Sequence, residues 1–171
     1  MSTEYKLFEQ GIIRLADGAF IPATEKNRDY RDYLQWVENG GVVAPRHSLE
    51  ETRALKLTEL DTDCAAAILA GFDSNALGQH HHYPAKLTDQ SNLQAAVLVS
   101  MQQGLAADWS TPVWCQDTTG TWAYLGHTAA QIQQVGSDGK HAIDTCIARK
   151  IELEQRVAKA LTQDELSAIH W

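Results

Sequence analysis

Apolar positions first alternate along this chain, as in strands, and then recur every three or four residues, as in helices. Residues 5–22 read as strands. Ile12, Ile13 and Leu15 precede the turn signal Ala16-Asp17-Gly18, and Ala19-Phe20-Ile21-Pro22 closes a hairpin. Asn27 is placed to cap a short helix through Glu38, with Tyr30, Tyr33, Leu34 and Val37 on one face, and Asn39-Gly40-Gly41 stops it. Ser48 and Glu51 form a capping box that opens a helix to about Ala70, before Gly71. Its seam, Leu57, Leu60, Cys64, Ala67 and Ile68, is coiled-coil-like but short, so it packs against its own chain or a neighbouring copy.

Another helix should begin near Asp89 and carry Leu93, Ala96, Val97 and Met101 on one face. Residues 112–116 and 121–125 flank Asp117-Thr118-Thr119-Gly120 as a hairpin, with Trp114 and Trp122 near-opposite. Thr128 and Gln131 make a second capping box, opening a helix to about Val135. Gly136-Ser137-Asp138-Gly139 is predicted to break it before a longer helix from about Lys140 to Leu161. Thr162 and Glu165 start a last turn. The expectation is an α+β protein: a strand-and-helix docking module over 1–46, a connecting helix over 47–70 acting as a spacer, and a helix-rich domain with one β-hairpin over 71–171.

Composition narrows the function. A net charge of -8, with no run of Lys or Arg, argues against nucleic acid as partner. The three cysteines, Cys64, Cys115 and Cys146, lie far apart without a C-x-x-C pair, so three reduced and mostly buried thiols are expected. No charged-then-apolar leader opens the chain and no apolar stretch reaches the ~20 residues of a membrane span. A product made and kept in the cytoplasm, or released by lysis, fits.

The run His80-His81-His82 invites a metal reading. Adjacent residues on a strand face opposite ways, so one chain seldom offers all three to one ion, and a polar loop or interface is the alternative. A hydrolase would use His80 and His82 with His127, His141 or His170. Asp61 with Asp63, and Asp29 with Asp32, are expected on solvated helix faces. No G-x-S-x-G, G-x-x-x-x-G-K or H-E-x-x-H pattern is present, and catalysis has no visible carrier. Neither a cofactor nor a resident metal is expected. Tyr30, Tyr33 and Trp36, together with His80, His81, His82 and Tyr83, are the expected partner contacts, since aromatics anchor interfaces.

Three blocks, taken in order, resemble a family. Ile13-Arg14-Leu15 through Ile21-Pro22, with Asn27-Arg28-Asp29-Tyr30 through Val37, resembles the opening segment of tail-fibre-associated proteins of tailed phages. Phe72-Asp73-Ser74, Gly78, Tyr83 and Asp89-Gln90-Ser91-Asn92-Leu93 resemble an uncharacterised domain that often follows it. That domain's end is matched by His127 to Gln131, Val135-Gly136, Asp138-Gly139-Lys140, Glu165-Leu166, Ile169 and Trp171. The resemblance implies a non-enzymatic tail protein that attaches to the tail fibre or assists its assembly, with no catalytic residues to carry over. It implies residence in the virion tail, or a transient chaperone role, and a homo-oligomer, most simply a trimer matching the fibre.

Overall fold

The computed structural model describes residues 4–171, which form two compact units that divide between Thr52 and Arg53. The fold is α+β. The first unit is a three-stranded antiparallel sheet, β1 (Tyr5–Phe8), β2 (Gly11–Arg14) and β3 (Phe20–Pro22), backed by helix α1 (Arg28–Glu38). The β2–β3 turn is closed by Asp17, which takes the Ala19 N–H at 3.1 Å and pairs with Arg14 at 2.7 Å. That guanidinium holds the Asp17 carboxyl down at about 2. Gly18 turns with φ 72°, open to a residue without a Cβ.

Asn27 caps α1 by accepting from the Asp29 and Tyr30 N–H groups at 2.8 and 3.2 Å. The helix lays Tyr33 onto Tyr5, Ile12 and Ile21, with Tyr30, Leu34, Trp36 and Val43 around them. Ser48 and Glu51 then cap helix α2 (Leu49–Leu69) reciprocally, Glu51 taking the Ser48 N–H at 2.7 Å and Ser48 Oγ the Glu51 N–H at 3.2 Å. The bond from Ser48 draws the Glu51 carboxyl below its ordinary range.

From Arg53 onward α2 belongs to the second unit. Leu60 and Cys64 of its seam are buried, Lys150 pairs with Asp61, and Arg53 donates to the Ala160 carbonyl. The expected spacer is therefore docked helix. After Gly71, whose φ of 105° ends α2, comes a four-stranded antiparallel sheet in the order β4 (Phe72–Ser74), β5 (His81–Tyr83), β6 (Ser110–Gln116), β7 (Trp122–Thr128). The predicted hairpin is β6–β7. It pairs Trp114 with Tyr124 and Gln116 with Trp122, so Trp114 and Trp122 are diagonal neighbours, stacked at 5.9 Å. Strands β4 and β5 fall in a segment that reads as turns and a polar loop.

Helix α3 (Leu87–Ser100) packs Leu93, Ala96 and Val97 on the core of Phe72, Tyr83, Ala85, Cys115, Ile132 and Val135. The expected break at Gly136 to Gly139 does not exist: helix α4 runs unbroken from Ala129 to Lys159, followed by α5 (Gln163–Ser167). Packing explains the glycines. A Cβ at Gly136 would lie 2.7 Å from a Val97 methyl, and one at Gly139 would lie 2.8 Å from the Phe72 ring. Close helix approach, rather than a turn, requires them, and Asp138 is held in the helix by bonds from Ser74 Oγ at 2.6 Å and Gln134 at 2.7 Å. Among the described residues no helix is long and apolar enough to cross a membrane.

Candidate functional site

Seven residues were expected to face a partner, and the fold distributes them differently. In the first unit Tyr33 is buried. Tyr5 meets it edge-on at 5.2 Å and Trp36 at 5.1 Å, while Tyr30 lies tilted against Tyr33 at 5.7 Å. This aromatic cluster faces the unit's own sheet. Only the half-buried parts of Tyr30 and Trp36 remain for another molecule.

The opposite face of the same sheet is a better surface, and pairing shows why. Lys6, Ile13 and Phe20 are register partners, as are Phe8, Gly11 and Pro22, so these six share one face while Ile12 and Ile21 occupy the other. Among the described residues of this unit, its helix α1 packs on the Ile12–Ile21 face and leaves the outer face uncovered. Phe8 is 41% and Phe20 52% exposed, with their rings edge-on at 5.9 Å. Gly11 makes this arrangement possible, since a Cβ there would strike the Phe20 ring at 2.8 Å and the Ile21 carbonyl oxygen at 2.2 Å. Arg46 lies over the Phe8 ring at 5.9 Å and pairs with Glu9 at 3.1 Å. A hollow of about 410 Å3 opens beside it, lined by Phe8, Gln10, Ile12, Tyr30 and Arg46 among others. Sequence reading missed Phe8 and Phe20: Phe20 adjoins Ile21 and so faces away from it, while Phe8 reaches that outer face only through its pairing with Gly11 across the β1–β2 turn.

In the second unit the three histidines lie on or next to β5, which alternates faces as the sequence argument requires. His81 and Tyr83 point inward and are 2% exposed; neither can meet a partner. Their chemistry is internal. The Tyr83 hydroxyl lies 2.8 Å from His127 Nε2, and His127 Nδ1 lies 2.9 Å from the Leu125 carbonyl oxygen. A carbonyl only accepts, so Nδ1 carries the proton and Nε2 accepts from Tyr83. Burial pushes the Tyr83 hydroxyl and the Cys115 thiol up and the His127 imidazole down. All three groups are therefore neutral near pH 7, and the Tyr83–His127 bond lies inside the core.

His82 faces the other way. Its Nδ1 meets Asp73 at 2.8 Å, its Nε2 meets the Ala70 carbonyl at 3.1 Å, and its ring stands edge-on to Trp122 at 6.0 Å. His80, exposed, comes within 3.6 Å of the same Asp73 carboxylate. His82 thus ties the end of α2 to β4 and β7. Both nitrogens of His82 and both of His127 are occupied by protein groups, and among the described residues no three His, Cys, Asp or Glu side chains are grouped to hold a metal. The cysteines are free, with Cys64 and Cys115 buried.

A protein-family model described as "Domain of unknown function (DUF4376)" matches residues 51–170. No curated protein and no solved structure matches the chain.

Proposed function

Since the chain belongs to the DUF4376 family, a domain whose function is unknown, we propose that it is a non-enzymatic phage tail protein that attaches to the tail fibre or helps assemble it, and that it stays on the particle. The resemblance of its ordered sequence blocks motivates the reading. The observation that carries the docking part is the outer face of β1–β3, where Phe8 and Phe20 stand exposed beside Ile13 and Pro22. Phenylalanine has no polar atom to satisfy in water, so paired exposed rings are stabilised when a partner covers them. The partner is the fibre or another tail protein, contacted by the first unit.

The assembly is a homo-oligomer, a trimer in register with the fibre. Of the α2 seam, Leu60 and Cys64 are buried in the second unit's own interior. Ile147 and Ile151, one helical turn apart on α4 and both more than two-fifths exposed, support a copy-to-copy contact instead. Light scattering on the isolated protein and on its fibre complex tests this, and a monomer in both would end it. For the docking face the test is co-purification of tagged fibre with wild type and with a Phe8→Ser, Phe20→Ser double variant. Retention of the fibre by wild type and its loss in the variant is the expected outcome; equal retention would remove the assigned face.

A further inference from the structure

An open cleft of about 400 Å3 lies between α3 and the first half of β6, within the roughly 300–1,000 Å3 range of small-molecule sites. Sheet pairing explains its presence. Strand β5 meets β6 only at His82 and Gln116, so Thr111 to Val113 pair with β7 on one side and leave the other side open. Leu93, Ala96 and Val113 form the apolar lining, and Trp109, Trp114 and Tyr124 supply aromatic surface.

Two polar groups enter from α3. Asp89 and Asn92 are three residues apart, hence on one helix face, and both line the cleft. Asp89 accepts the Lys86 N–H through Oδ2 at 3.1 Å, and its Oδ1 has no protein donor among the described residues. The exposed Asn92 carboxamide likewise has no hydrogen-bond partner among the described residues. The aromatic surface is extended rather than enclosing. Tyr124, 71% exposed, packs on Trp114 at 4.8 Å, and Trp114 continues onto Trp122 with an interplanar angle of only 15°.

We propose that this cleft binds a pyranose unit of a carbohydrate. A sugar ring has an apolar C–H face and a rim of hydroxyls. The face packs on an indole or phenol ring, and the rim needs an acceptor and a donor at fixed spacing. Trp114 and Tyr124 provide the first, Asp89 Oδ1 and the Asn92 amide the second. A nucleotide would also stack, but its phosphates would meet Asp89 and a chain of net charge -8. A quaternary ammonium ion favours rings closed around it from several sides, whereas Tyr124, 71% exposed, leaves the cleft open to water. The inference stands apart from the tail reading, because it rests on the cleft alone.

The test uses the full chain on an array of microbial polysaccharides, followed by tryptophan-fluorescence titration with an oligosaccharide prepared from any glycan retained. Trp114→Ala and Asn92→Ala are the variants, each checked by circular dichroism; Asn92 is exposed and its loss leaves the fold alone. Asp89 is left in place because it caps α3. Binding is expected to weaken about tenfold or more in Trp114→Ala and about fivefold in Asn92→Ala. Absence of any retained glycan, or equal binding by wild type and both variants, overturns the proposal. So does a fluorescence response to tetramethylammonium chloride with none to sugars, which would make the cleft a cation site.

Discussion

In the first unit Tyr5, Tyr30, Tyr33 and Trp36 pack together on the inner side of the sheet and Phe8 and Phe20 stand on the outer side. In the second unit Phe72 and Tyr83 fill the interior while Trp114, Trp122 and Tyr124 stand outside. Both sheets are antiparallel and half-covered by helix, so the difference lies in which aromatics are left in water. Tyrosine and tryptophan keep a hydroxyl or an N–H hydrated when exposed, and such a surface suits a polar ligand. Exposed phenylalanine has no such group, and a protein partner is the simplest cover for it. The two exposed faces thus point to two kinds of contact.

The cores themselves allow the largest test of the comparison. Ile132 in the second unit is fully buried and Ile21 in the first is 2% exposed, so each Ile→Ala change should cost about 2–5 kcal/mol. Urea denaturation measures this. A loss below 1 kcal/mol at either site would mean that its core is not packed as described.

Next in size is Gly139→Ala. Helix propensity alone would favour the change by about 1 kcal/mol, yet the added Cβ meets the Phe72 ring at 2.8 Å. Overpacking of this kind typically costs about 1–3 kcal/mol, so the net effect should be destabilising. A stabilised variant would show that α4 does not press on Phe72.

Tyr83→Phe should cost about 1–3 kcal/mol by leaving buried His127 Nε2 without its donor. The same histidine predicts a pH dependence with a definite sign. Burial lowers its pKa in the folded state from the ordinary 6.5. The unfolded chain therefore takes up the proton first, and stability falls as pH drops below about 6.5. Thermal melts between pH 7.5 and 5 should show this loss in wild type and a shallower one in His127→Gln. Parallel curves would place the titration elsewhere.

These sites also show how far the sequence could be read. The capping boxes at Ser48 and Thr128 are local chemistry, and both form as spaced. Gly136 and Gly139 misled because a glycine needed for close packing looks the same as one needed for a turn, and the deciding neighbours, Val97 and Phe72, are distant in sequence. Strands β4 and β5 are only three residues each, too short to show alternation. Tyr33, His81 and Tyr83 are residue types that serve interfaces and cores alike. Only the fold reveals that they are inside, and that Phe8, Phe20 and the Asp89–Asn92 pair are the groups left facing out.

The smallest expected effect on stability sharpens the contrast most. Phe20→Ser, at a site 52% exposed, should change stability by no more than about 0.5 kcal/mol while weakening fibre retention. A marked loss of stability would instead make Phe20 part of the unit's own core.

The tail assignment is tested most directly by quantitative mass spectrometry of tailed-phage particles purified from a lysate in which this chain is made. The account predicts its peptides in a fixed ratio to those of the tail fibre, and retained through density-gradient purification. Particles that carry the fibre but none of this chain would contradict it.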